Sequence, residues 1–351
     1  MLKVLKSYNS SAFSVCSQRA LTAGCLLSLA VSSVAFAGNQ PGTDEGKSSG
    51  SIEQLAVQSF TQLDNLPSVS AQCWLAPTLY AVGDDSPAIY ALNKNLSIQH
   101  QLALSEHPAQ PNGRVSGDIK ADLEACQQFE HEGRTLLVML GSGTATDTRE
   151  RALLFYPDNG EQRWVNIRPF YRDLRRVVGF DNTQFINIEG LMNYNGRVYL
   201  LSRGSHGPNV LFSLHESDWL EYLTGEQTEL PAATAQTVTL PALAEREATL
   251  SGATYHAASQ HVFFTASVDK HDDGGIIGSL LLALPANQLS DAPQLDLSNF
   301  SYHLVYQQKP LASKVESVVI TDYQQGHFKG ILAADNDDGS SQFMHFSWSS
   351  N

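Results

Sequence analysis

Basic side chains are scarce in this chain: 22 Lys and Arg stand against 36 Asp and Glu over 351 residues. That balance argues against nucleic acid and against an anionic membrane face as partner, because both select a positive surface. The signatures of familiar chemistry are absent too. There is no Gly-x-Ser-x-Gly elbow, no His-Glu-x-x-His, no Walker loop and no Rossmann glycine pattern. Cysteine is sparse, at four residues. Long apolar runs are missing as well: residues 20–34 are too short a stretch, and too rich in serine, to read as a membrane span.

The N-terminus reads instead as an export signal. Lys3, Lys6 and Arg19 form a basic region, residues 20–34 an apolar one, and Ala35-Phe36-Ala37 a small-x-small cleavage site before Gly38. Thr22-Ala23-Gly24-Cys25 has the look of a lipobox, but the apolar stretch follows Cys25 rather than preceding it, which favours soluble export. Residues 38–50, with Pro41, Gly42, Gly46, Ser48 and Ser49, read as a disordered spacer. Cleavage leaves 19 basic and 36 acidic residues, a net charge of −17 compatible with divalent cations. The expectation is a periplasmic or secreted monomer with no membrane insertion after cleavage. Cys73 and Cys126 survive cleavage. Export permits a disulfide between them if their Cα atoms come within about 7 Å; two separately buried thiols are the alternative.

What the chain does have is a repeat of about 64 residues. Its clearest copy places Glu189 and Gly190 before an Asn195-Gly196 turn, a strand at 198–201, and Ser202-Arg203-Gly204-Ser205. Aligning the other copies on that strand puts Ser70, Glu124, Glu189, Gly252 and Glu316 in one column. Short apolar runs recur around it: 79–82, 137–140, 198–201, 262–265 and 331–334, then 89–92, 153–156, 210–214, 280–284 and 343–348. They carry β-branched or aromatic residues between Gly, Asp, Asn or Pro, the signature of strands. A weaker fourth run follows in every unit but the last, and residues 55–63 supply the missing strand. The pattern predicts an all-β protein over residues 51–351, a five-bladed β-propeller of four-stranded blades whose last blade is closed by an N-terminal strand. The alternative is six blades, with an irregular one in 168–182, although 170–177 reads better as helix, as does 218–223.

Several motifs resemble those of exported bacterial β-propeller proteins without an assigned reaction: Gly83-Asp84-Asp85-Ser86-Pro87, the Lys120, Asp122 and Glu124 cluster, Gly143 with Arg149 and Arg151, Asn187 with Glu189 and Gly190, Gly278-Ser279, and Lys314 with Glu316. The chain is similar, more distantly, to the SdiA-regulated and phytase-like (esterase-like) propellers. The resemblance runs from about residue 66 to 348 and implies the propeller fold without implying a reaction. Gly252 and Ser317 depart from it, the first where an acid stands in other units and the second where a Gly follows the Glu.

Inner strands of a propeller line a central channel, so Glu124, Glu189 and Glu316 would converge there with Ser70. Converging carboxylates hold a cation or a proton, and Ca²⁺ with its oxygen ligands is the natural guest. The competing reading gives each Glu a structural partner in a neighbouring blade. A second column follows the second strand: Asp84 and Asp85, Ser142, Arg203, Ser267 and Asp335 with Asn336, Asp337 and Asp338. Its Asp residues are turn formers as well as candidate ligands. The expected metal ligands are therefore Glu124, Glu189, Glu316, Asp84 and Asp335. Lys120, Arg203, Lys314, Ser70 and Ser142 are the expected ligand-binding residues, with Lys120 and Lys314 placed on the Glu side of their strands by even spacing. Two functions follow: a module binding a small ligand or an envelope protein at the channel mouth, or a metal-dependent phosphoesterase.

Overall fold

The computed structural model describes residues 53–144, 147–181, 184–269, 275–335 and 339–350. The expected signal and spacer lie outside these residues, as do Asp272, Asp273, Asn336, Asp337 and Asp338. In chain order the main elements are β1 (Glu53–Leu63), β2 (Val69–Leu75), β3 (Thr78–Gly83), β4 (Ala88–Asn93), β5 (Ile98–Ala103), β6 (Leu123–His131), β7 (Arg134–Gly141), β8 (Arg151–Tyr156), β9 (Glu161–Asn166) and α1 (Arg168–Val177). There follow β10 (Ile188–Tyr194), β11 (Arg197–Ser202), β12 (Asn209–His215), α2 (Glu216–Thr224), β13 (Ala233–Thr239), β14 (Ala242–Leu243), β15 (Arg246–Glu247), β16 (Thr249–His256), β17 (His261–Asp269) and β18 (Ile276–Pro285). The last are β19 (Gln294–Asp296), β20 (Ser301–Tyr306), β21 (Lys309–Pro310), β22 (Lys314–Gln324), β23 (His327–Asp335) and β24 (Ser341–Ser349).

Strands β2 to β5 form one antiparallel sheet and β6 to β9 another. Strands β10 to β13 form a third, which β19 extends as a parallel edge strand. A longer sheet runs β16-β17-β18-β20-β1-β24-β23-β22. Its centre is β1, which pairs in parallel with β20 through residues 53–56 and antiparallel with β24 through residues 57–63. The N-terminal strand thus completes the last four-stranded set, as the sequence predicts, and also ties it to the set before. The α1 and α2 spans match the two helical stretches read from the sequence.

The central strands are apolar on both faces because both faces are buried. Leu136, Leu137, Val138, Met139 and Leu140 are all fully buried. Leu136, Val138 and Leu140 pack toward β10 to β12, while Leu137 and Met139 pack toward β2 to β4. Alternate side chains of one strand therefore serve two different cores. Among the described residues the core divides into five such clusters, each shared by two successive four-stranded sets, one of them between the two halves of the long sheet, and the cluster of Val319, Ile331 and Phe343 with Leu66, Val69 and Leu79 returns the series to its start. The inner strands β2, β6, β10, β16 and β22 pack in the same cyclic order. This is an all-β, propeller-like arrangement of four-stranded antiparallel sheets.

Tight hairpins set the register. At Asn195-Gly196 both central residues take positive φ, 52° and 70°, the geometry of a primed hairpin turn. Cys73 on β2 and Cys126 on β6 form a disulfide with Cα atoms 5.7 Å apart, so adjacent inner strands are covalently joined.

Candidate functional site

Each inner strand carries a β-bulge at the same level. The register slips between Val69 and Ala71, Leu123 and Ala125, Ile188 and Gly190, Leu250 and Gly252, and Val315 and Ser317. The bulged residues are therefore Ser70, Glu124, Glu189, Ser251 and Glu316. A bulge re-aims a side chain at the point where it locally bends and twists the strand. The fourth member is Ser251, which corrects the expected Gly252 by one residue. Gly252 has a different duty: a Cβ there would lie 2.4 Å from the Glu316 carbonyl oxygen, so glycine lets β16 and β22 approach.

The second column stands as expected. Asp84, Ser142, Arg203, Ser267 and Asp335 each follow the residue paired with the last regular position before a bulge. The two columns interlock. Arg203, 5% exposed, places Nη1 3.8 Å from Glu189 Oε2 and 3.7 Å from Glu316 Oε2. Its Nη2 donates to Ser267 at 3.2 Å and to Asp269 at 3.0 Å. Lys314 Nζ sits 2.6 Å from Glu316 Oε1, and Asn187 Nδ2 donates to Glu189 at 2.5 Å. Glu189 and Glu316 are thus engaged with cations of the protein itself. Asp335 is buried at the end of β23, within the field of Arg114, and the Ser70 hydroxyl donates to the Ser68 carbonyl.

Glu124 differs from its two counterparts. Among the described residues it has no hydrogen bond or ion pair, and it keeps a solvent-accessible edge although protein surrounds it closely. Its carboxylate shares a cluster with those of Asp84 and Asp122, one oxygen from each lying within 4.8 Å of the others. Asp122 is the member that the sequence reading leaves out of the ligand set. It sits just before β6 at φ 56°, a left-handed conformation that Asp tolerates better than most residues. Ser142 and Arg149 both reach Asp122, the latter at 3.2 Å. Lys120 bridges Asp84 at 2.5 Å and Asp122 at 2.8 Å. Lys120 precedes β6, so it arrives from a loop and not by strand alternation as its even spacing suggests. The structure therefore brings Asp84, Asp122 and Glu124 together and leaves Glu189, Glu316 and Asp335 outside that cluster.

The electrostatics follow this division. Burial, reinforced by Glu189, Asp122, Asp84 and Glu316, pushes the Glu124 carboxyl well above the usual carboxylate range. Burial and Glu316 push Glu189 up to about 8 against the pull of Arg203 and Lys314. Burial opposes the Lys120 charge, but Asp122 and Asp84 outweigh it and raise that pKa to about 12. The Asp84 Oδ1 atom is buried without a hydrogen-bond partner. An all-oxygen donor set with one orphaned acceptor and one unpartnered carboxylate suits a hard divalent cation, which is the kind of ion such ligands hold. A 670 Å³ cavity lies nearby, lined by Ser205, Asn209, Glu245, Glu247 and Asp269, and touches the hub through Asp269.

Fold and site together define a propeller-like all-β protein with bulged inner strands and a buried ionic hub, in which an acidic cluster able to chelate a divalent ion adjoins paired charges. The chain belongs to the Family of unknown function (DUF6929), whose model matches residues 65–347. No curated protein sequence matches it. Among solved structures it is similar to the glutaminyl cyclase of Myxococcus xanthus, at 9% identity and TM-score 0.44, covering 85% of this chain and 100% of that one. It is also similar to the Bacillus subtilis arabinanase (11% identity, TM-score 0.45, 82% and 97% covered) and to the Podospora anserina α-L-arabinofuranosidase (8%, 0.45, 84% and 97%). Among the described residues no helix is long and apolar enough to cross a membrane.

Proposed function

We propose that this protein is an exported five-bladed β-propeller that binds a small ligand or an envelope protein at the acidic mouth of its ring, with a divalent cation held by Asp84, Asp122 and Glu124. The blade count follows the cyclic order of the inner strands and of the five shared cores. Export accords with the Cys73–Cys126 disulfide, a bond that persists in oxidising compartments. The carrying observation is the unpartnered Glu124 carboxylate beside Asp84 and Asp122. Ca²⁺ is the favoured ion because it accepts irregular sets of oxygen ligands and completes them with water.

Binding is favoured over phosphoester hydrolysis because Arg203, Lys314 and Lys120 are all engaged by carboxylates, which leaves none of these three cations free for a phosphate. Thermal unfolding of the chain from residue 38 tests the reading. A ligand present at a hundredfold excess over Kd and bound only to the native state stabilises by about 2.7 kcal/mol. Ca²⁺ should raise Tm and chelator should reverse the rise; an unchanged Tm, with no metal found in the untreated protein, would return Glu124 to a purely structural duty.

A further inference from the structure

Lys120 sits where an incoming cation would have to go. Its ammonium lies 2.5 Å from Asp84 and 2.8 Å from Asp122, two of the three carboxylates of the cluster. It satisfies only part of the site. Among the described residues Asp84 Oδ1 has no hydrogen-bond partner, and Glu124 makes no ion pair. Within the cluster Lys120 and Arg149 supply two positive charges to three carboxylates, and Lys120 is the one that spans two of them.

The segment carrying Lys120 is a short exposed turn between buried anchors. The connection from β5 to β6 is anchored by buried Leu104, His107 and Val115 and again by buried Ala121. Val115 N–H donates to the Asp85 carbonyl at 2.7 Å, and Arg114 pairs with Asp85. Between those anchors Gly117, Asp118 and Ile119 are exposed. Ile119 and Lys120 N–H both donate to the Ser116 carbonyl, at 3.1 and 2.9 Å, and the Ile119 backbone also meets the imidazole of buried His107. Withdrawing the Lys120 side chain breaks its two ion pairs. The flexible four-carbon stem of lysine allows this.

We propose that Lys120 is a tethered occupant of the cation site, and that residues 116–120 form a latch that swings out when a divalent cation enters. The proposal rests on the cation reading above and adds its regulation. An ammonium and a divalent ion sharing the same carboxylate oxygens repel one another strongly, so metal entry and Lys120 withdrawal are one event.

Calorimetric titration with Ca²⁺ alone tests this on the chain from residue 38, as wild type, Lys120→Gln and Lys120→Arg. Lys120→Gln removes the competing charge and should tighten Ca²⁺ binding at least about tenfold, the scale expected of a unit charge removed from a few ångströms away. Lys120→Arg keeps the charge in a fork that grips carboxylates and should bind Ca²⁺ no more tightly than wild type. Hydrogen exchange of the wild-type protein supplies a readout that does not depend on either variant folding: Ca²⁺ should speed amide exchange at residues 117–120 and leave β6 unchanged. Ca²⁺ binding to wild type with an equal or weaker affinity in Lys120→Gln, or with no change in exchange at 117–120, would overturn the latch and leave the cation site standing. Absence of Ca²⁺ binding in every variant would remove the cation site, and the latch with it.

Discussion

Arg203 Nη1 lies 3.7 Å from Glu316 Oε2, and neither atom has a hydrogen-bond partner. The two residues come from different sheets, β11 being followed by Arg203 and β22 carrying Glu316. With Glu189 at 3.8 Å from the same nitrogen, this contact ties two sheets of the ring together by charge.

Removing the shared cation should therefore be costly. Arg203→Met leaves two buried carboxylates facing each other, and breaking a buried pair from one side costs about 3–5 kcal/mol. Urea unfolding should show that loss, and Arg203→Met combined with Glu316→Gln should recover part of it. Equal stability of the single and double variants would mean that the pair is not energetically coupled.

Stability should also depend on pH through Glu189. Its native pKa of about 8 exceeds its ordinary value of 4.5. Between those limits the native state holds a proton that the unfolded chain has released, so this contribution is full below about pH 4.5 and is lost as pH rises through about 8. The raised Glu124 carboxyl acts in the same direction. In chelator, Glu189→Gln should flatten the slope of stability against pH across this window, as read by denaturant titrations at several pH values.

The disulfide closes a loop between positions 53 residues apart. Cys73→Ser with Cys126→Ser should lower unfolding stability by about 2–4 kcal/mol. Because Cys73 and Cys126 also pack in the core between the first two sheets, the native spectrum should survive at low temperature.

Strand β1 predicts an association phenotype. Deleting through residue 63 uncovers the edges of both β20 and β24. Exposed edges pair with other chains, so the truncated protein should elute from size-exclusion chromatography as larger species than the longer chain does.

Much of this was legible in the sequence because it rests on local periodicity. The 64-residue repeat, the apolar second and third strands, the two helices and the closing role of residues 55–63 all appear in the patterns of apolar residues and turns. What escaped depends on register. Aligning copies on the second strand cannot reveal an extra residue in the first, so Gly252 stood in for Ser251. Lys120 lies before β6 begins, so the alternation that placed it on the Glu124 side of a strand does not reach it. Asp122 was visible as an Asp beside Lys120 and Glu124, but its left-handed φ, which turns the chain into β6, is a backbone property that no spacing rule reports. The parallel additions of β1 to β20 and of β19 to β13 join segments distant in sequence and leave no local trace.

The central claim is that Glu124 completes a cation site, and Ca²⁺ titration of wild type against Glu124→Gln, followed by calorimetry at one pH and low salt, tests it most directly. The account predicts saturable binding of one ion to wild type and a loss of at least about tenfold in affinity in the variant, as one charge is removed. Unaltered binding in Glu124→Gln, or binding to neither protein, would contradict it.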